Sequence, residues 1–193
     1  MNKPRRLAKY GLLVGSVTAV AALAVGYWIP VKAEMAQRLL ARAWDETLAG
    51  QTDAKPWPWA DTSPASRLSI PSLNASWVVL SGASGRNLAF APSHMDGSAE
   101  PGERGLSVIA GHRDTHFEVL ERIPVGTEIF VEDRHSFTHH YRVVATEIVD
   151  SRQTSLRLDA DTPLLVLVTC YPFDAISAGG PLRYLVFAEA TGS

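Results

Sequence analysis

From Ser66 onward the chain never sustains the 3.6-residue apolar period of a helix. It offers instead a series of short runs, "RLSIP", "SWVVLSG", "LSVIAGH", "TEIFVED", "HYRVVATEIV", "PLLVLVTC" and "RYLVFAEA". Each is rich in Val, Ile, Leu or aromatic side chains and is bounded by Gly, Pro, Asn, Asp or Ser, the pattern of short strands joined by turns. "TEIFVED" and "HYRVVATEIV", separated by "RHSFTH", read as a hairpin, and seven or eight such strands fit a closed barrel or a sandwich. Helix is expected only as short turns, at "THFEVLERI" and "TSLRL". The fold class is all-β.

The part before Ser66 is built differently. Residues 1–10 are basic, and residues 11–29, "GLLVGSVTAVAALAVGYWI", carry no charge. As a helix rising 1.5 Å per residue they span roughly 28 Å, the thickness of a bilayer core. With the positive flank first, the N-terminus is expected in the cytoplasm and everything after Pro30 outside, as in a single-pass signal-anchor. A cleaved signal peptide, cut near Ala22-Leu23-Ala24, is the alternative. Residues 30–65 combine an amphipathic helix, with Met35, Leu39, Leu40, Ala43 and Leu48 on its apolar side and Gly50 at its end, and the Pro- and Trp-rich linker "QTDAKPWPWADTSPAS", whose tryptophans are expected to pack on the domain. Residues 66–193 form the β domain of this reading.

Charge narrows the partners. The chain has 18 Lys and Arg against 20 Asp and Glu; four of the basic residues, Lys3, Arg5, Arg6 and Lys9, lie within residues 1–10, which leaves 14 against 20 and a net charge of −6 after position 31. Such a surface has no electrostatic footprint for nucleic acid.

The chain contains one cysteine, Cys170, at the end of "PLLVLVTC". An exported protein meets an oxidising compartment, where cysteines normally pair, and a single one has no partner within the chain. It is either a small buried hydrophobe or a nucleophile. A nucleophile needs a base or acid beside it and a donor for the oxyanion. "VIAGHRDTHF" ends an apolar run and then presents His112, and Arg183 leads unusually into the apolar run "RYLVFAEA". Asp114 and Thr115 are read as shaping the turn after His112. The spacing of His112 and His116 would suit a metal only on a helix, and His135, His139 and His140 fall near a hairpin tip, so neither group is assigned a metal.

"SVIAGHRDTHFEVL", "LVTCYPF" and "RYLVFA" resemble the His, Cys and Arg motifs of sortases, membrane-anchored cysteine transpeptidases with an eight-stranded β-barrel. Within the family the chain most resembles the Gram-negative proteobacterial class GN, through "KPWPWADTSPASRLSIP". Val166 stands where many sortases have a threonine, and Ala91-Pro92-Ser93-His94 keeps part of a usual Gly-Pro-Gly-His pattern.

The resemblance implies that Cys170 attacks a carbonyl in an LPxTG-like sorting motif near a partner protein's C-terminus and forms a thioester that an amine resolves. It implies that His112 is the acid and base, that Arg183 stabilises the oxyanion or orients the substrate, and that the "DSRQTSLRLDADTP" loop helps form the substrate groove. No cofactor is expected; calcium modulation, known for some sortases, stays open. The expected location is the inner (cytoplasmic) membrane, with the catalytic domain on the periplasmic side. Two other classes compete: another exported cysteine hydrolase, and an anchored, non-catalytic β-barrel binding domain with an inert Cys170.

Overall fold

The computed structural model describes residues 35–175 and 179–192. The basic N-terminus and the apolar stretch 11–29 lie outside them. Helix α1 covers residues 35–48. Strands β1 (Pro64–Ile70) and β2 (Ala75–Ser81) precede a one-turn helix α2 (Gly85–Leu88), a two-residue strand β3 (Ser93–His94) and β4 (Gly105–Ala110). After a 3-10 turn at Glu118–Arg122 come β5 (Glu128–Asp133), β6 (Thr138–Asp150), β7 (Pro163–Cys170) and β8 (Leu182–Ala190). They close an eight-stranded barrel in the order β1-β2-β3-β4-β7-β8-β6-β5, with β5 returning to β1.

All seven apolar runs form strands, and β5 and β6 form the expected antiparallel hairpin. The eighth strand, β3, is too short to carry a periodicity. The barrel interior follows from alternation: Leu68, Ile70, Ile109, Leu165, Leu167 and Val186 face inward and are fully buried. Each side chain of this kind contributes about 1.5–3 kcal/mol on leaving water.

Two pairings are parallel, β2 with β3 and β4 with β7. β4 and β7 are also covered on their outer face, where Leu106, Val108 and Val166 pack with Leu185 and with Leu156 and Leu158 from the β6–β7 loop. Burial on both faces is why "LSVIA" and "LLVLV" are continuously apolar rather than alternating. Val166, fully buried in this outer layer, has no room for an exposed polar role.

"TSLRL" does not form the expected helical turn; residues 154–158 have no regular secondary structure. Leu156 and Leu158 both pack on the outer layer, and Leu106 N donates to Leu158 O at 2.9 Å, so the segment runs along the barrel like an extra strand edge. In α1 the buried stripe is Leu40, Ala43 and Trp44, with Leu40 and Trp44 against Val78, Leu80 and Ala91, while Met35 is exposed. The helix stops where Gly50 adopts φ +92°, a conformation that suits glycine. The two tryptophans of the linker part company: Trp57 lies 4.8 Å from Phe90, whereas Trp59 is exposed.

Candidate active site

β4 ends at Ala110, and the chain continues its ladder for one more residue: Gly111 N donates to Val168 O at 3.0 Å, and the buried Thr169 hydroxyl donates to Gly111 O at 2.8 Å. Because β4 and β7 are parallel with Ala110 beside Val168, the end of β4, two residues before His112, lies beside the end of β7 that carries Cys170. On the other side, β7 and β8 pair antiparallel with Cys170 opposite Arg183. Cys170 and Arg183 therefore face each other across neighbouring strands, and His112 follows the end of β4, the strand on the other side of β7.

Alternation sets the face. Val166 and Val168 lead to Cys170, and Leu185 is two residues from Arg183, both in register with the outer apolar layer. Arg183, Val168 and Leu185 line a groove of about 320 Å³ together with Thr154, Leu156 and Leu158 of the β6–β7 loop. A larger hollow of about 770 Å³ lies beside His139 and Tyr141, away from Arg183. Cys170 is free and half-buried, and His112 is exposed, so both can be reached from solvent.

Arg183 Nη1 donates to Gly180 O at 2.6 Å and Leu182 O at 2.9 Å, within its own loop. The remaining guanidinium donors have no hydrogen-bond partner among the described residues. The turn after Cys170 is propped by aromatic rings: Tyr184 stacks with Tyr171 at 6.4 Å and meets Phe173 edge-on at 5.3 Å. The Tyr171–Pro172 peptide bond is cis.

Sequence reasoning missed Arg113. It is 5% exposed and uses its whole fork: Nε donates to Asp114 Oδ1 at 2.7 Å, Nη1 to Pro172 O, and Nη2 to Ala175 O at 2.9 Å. The bond from Arg113 holds the Asp114 carboxyl below its ordinary range, and the same bond raises Arg113. Asp114 thus serves Arg113 as well as its own turn. His94, in the partial Gly-Pro-Gly-His segment, is buried, with Nε2 at 2.9 Å from Ala99 O and 3.0 Å from Ser98 Oγ, where it braces the following loop.

The other histidines have local partners. Burial first, then the nearby His112 charge, holds His116 below its ordinary value. His139 Nε2 lies 3.0 Å from Asp133 Oδ2, and His140 packs edge-on to Phe130 at 4.7 Å; of the three near the hairpin tip, His139 is half-buried rather than solvated. Among the described residues, no group of three His, Cys, Asp or Glu side chains is arranged to hold a metal ion.

Gly111 has a packing reason. A Cβ there would lie 2.6 Å from the Phe117 ring, which is fully buried, so the ring would have to move. Gly111→Ala is expected to cost about 1–3 kcal/mol, seen as a fall of about 2–4 °C in Tm per kcal/mol. Phe117 N donates to His112 O at 3.0 Å, so the displacement also reaches the histidine turn. An unchanged Tm would show that Phe117 has room to give.

Residues 68–191 match the Sortase domain family. Sortase D of Bacillus subtilis (strain 168) is 33% identical over 124 residues, which cover 63% of this chain and 61% of that protein. The chain therefore spans less than two thirds of that relative's length. Among solved structures, sortase A from Corynebacterium diphtheriae superposes with a TM-score of 0.62 at 27% identity, covering 70% of this chain and 64% of that one. A Clostridium perfringens sortase D5 transpeptidase gives 0.63 at 22% identity, covering 82% and 98%, a likeness of fold. The family match begins inside β1 and ends just past β8, taking in nearly the whole barrel, and the chain belongs to the sortase family.

Proposed function

We propose that this chain is a membrane-anchored cysteine transpeptidase that cleaves an LPxTG-like sorting motif of a partner protein and transfers the acyl group to an amine. The observation that carries the reading is the pairing of Cys170 with Arg183 across β7 and β8, beside the end of β4 that leads into His112, with Arg183 lining an apolar groove. A lone solvent-accessible thiol at a strand end, with an imidazole on one side and a guanidinium on the other, is what acyl transfer asks for.

In the first half of the reaction the Cys170 sulfur attacks the scissile carbonyl carbon. The oxyanion that develops is met by the spare N–H donors of Arg183, which cannot lose its charge. His112, protonated, gives its proton to the departing amine as the C–N bond breaks, leaving a thioester. In the second half an amine attacks the thioester carbonyl, neutral His112 takes its proton as the new C–N bond forms, and the C–S bond breaks to release the Cys170 sulfur as a thiolate beside the protonated His112. The apolar groove suits the non-reacting part of the motif. Anchoring by residues 11–29 in the cytoplasmic membrane, with the barrel on the periplasmic side, raises the effective concentration of a substrate held at the same surface. "KPWPWADTSPASRLSIP" supports a place in the Gram-negative class GN.

The test is intact-mass measurement of the full chain in detergent with an LPxTG-like peptide. Truncation near residue 51 is avoided because it strips Leu40 and Trp44 from Val78 and Leu80. A Cys170 acyl adduct that disappears on adding an amine supports transfer. An unreactive thiol returns Cys170 to a packing role.

Arg183→Ala is expected to lower the acylation rate by on the order of 10²-fold, the size of effect seen on losing an oxyanion donor. KM should change little, because the interaction strengthens only as the oxyanion forms. A rise in KM with kcat intact would assign Arg183 to substrate binding instead.

A further inference from the structure

We infer that Arg113 is a positioning residue for this transfer, pinning the β7–β8 loop so that the Cys170 sulfur keeps its place relative to His112; the inference rests on the transpeptidase reading. The bonds carry the argument. Arg113 follows His112 directly, and its two terminal nitrogens reach Pro172 O and Ala175 O, two and five residues beyond Cys170. One rigid side chain therefore joins the backbone beside the acid to the backbone beside the nucleophile.

The barrel ladder does not do this alone. Past Cys170, the Tyr171 N to Leu182 O bond at 3.1 Å closes the neck of the loop. Beyond the neck, the 3.4 Å contact from Ala175 N to Pro172 O is long. Arg113 supplies the strong donors to both carbonyls, and it is buried in doing so. The groups around it keep it charged: Asp114 through the 2.7 Å bond to Nε, and the Cys170 and Asp174 charges at longer range.

A lysine could carry the same charge. It could not span Asp114 Oδ1, Pro172 O and Ala175 O at once, because an ammonium lacks the planar fork. A misplacement on the scale of 1 Å is enough to cost on the order of 10²-fold in rate.

The experiment uses the full chain in detergent, with Arg113→Lys and Arg113→Gln, and reads two quantities. Amide hydrogen exchange is followed over residues 171–175 and over the inner strands, and acyl-adduct formation with an LPxTG-like peptide is separated into kcat and KM. In both variants, exchange over 171–175 is expected to rise at least about tenfold, as loss of a hydrogen bond to a charged group allows, while the inner strands keep their protection. The acylation kcat is expected to fall by on the order of 10²-fold with KM unchanged.

Wild-type loop protection and rate in Arg113→Lys would overturn the inference. So would a loop that loosens with no loss of kcat. A wild-type chain that forms no adduct counts against the transpeptidase reading alone, because the exchange comparison still decides whether Arg113 holds the loop. Should both arginine variants unfold, Asp114→Ala at an exposed carboxylate frees the Nε side of the fork. The same two changes, smaller in size, are then expected, and their absence would overturn the inference.

Discussion

Cys170→Ala is expected to reduce acyl transfer to background while leaving the barrel folded. The loss is total in this mechanism because Cys170 is the only cysteine in the chain, so no second thiol can form the thioester. The folding cost is small. Cys170 sits half-buried at the last position of β7, and removing one sulfur there costs about 1 kcal/mol, close to the value of one buried methylene. That shifts the Tm of a domain of this size by about 2–4 °C. Adduct mass and Tm measured on the same sample separate the two effects. Near-full transfer by the alanine variant would sink the mechanism and favour the non-catalytic binding domain, in which Cys170 only fills space.

His112→Ala should lower peptide acylation by on the order of 10²–10⁴-fold, the usual contribution of a positioned acid or base. The exposed imidazole follows a strand rather than lying within it, so the barrel does not depend on it. The decisive comparison is between leaving groups. An amide nitrogen must be protonated to depart, whereas an activated ester leaves unaided; the deficit on the ester should be smaller by on the order of tenfold or more. Equal losses on both substrates would remove His112 from the role of general acid and leave it one of orienting the thiol.

Much of this was legible in the chain itself. Strand formation is local, resting on β-branched and aromatic residues between turn residues, and all seven runs were found that way. Ser93–His94 escaped because two residues carry no period, and "TSLRL" misled because Leu156 and Leu158 fit either a helical turn or an irregular segment laid on the barrel. The chemical identities were also legible: a lone cysteine, a histidine and an arginine, each at the end of an apolar run. Arg113 was not. An arginine in a turn is ordinarily solvated, and only carbonyls 59 and 62 residues away make its burial possible.

By itself, then, the sequence determined an all-β domain and which side chains have the chemistry for acyl transfer, because alternation, turn residues and functional groups are properties of a few neighbouring residues. Only the tertiary structure decided that the strand ends leading to them are neighbours. β4 pairs in parallel with β7, past the whole β5–β6 hairpin, and that places side by side the ends of two strands whose linking bond, from Thr169 to Gly111, spans 58 residues. No local period encodes such a pairing; it follows from burying both faces of β4 and β7 at once, inside the barrel and under Leu156 and Leu158.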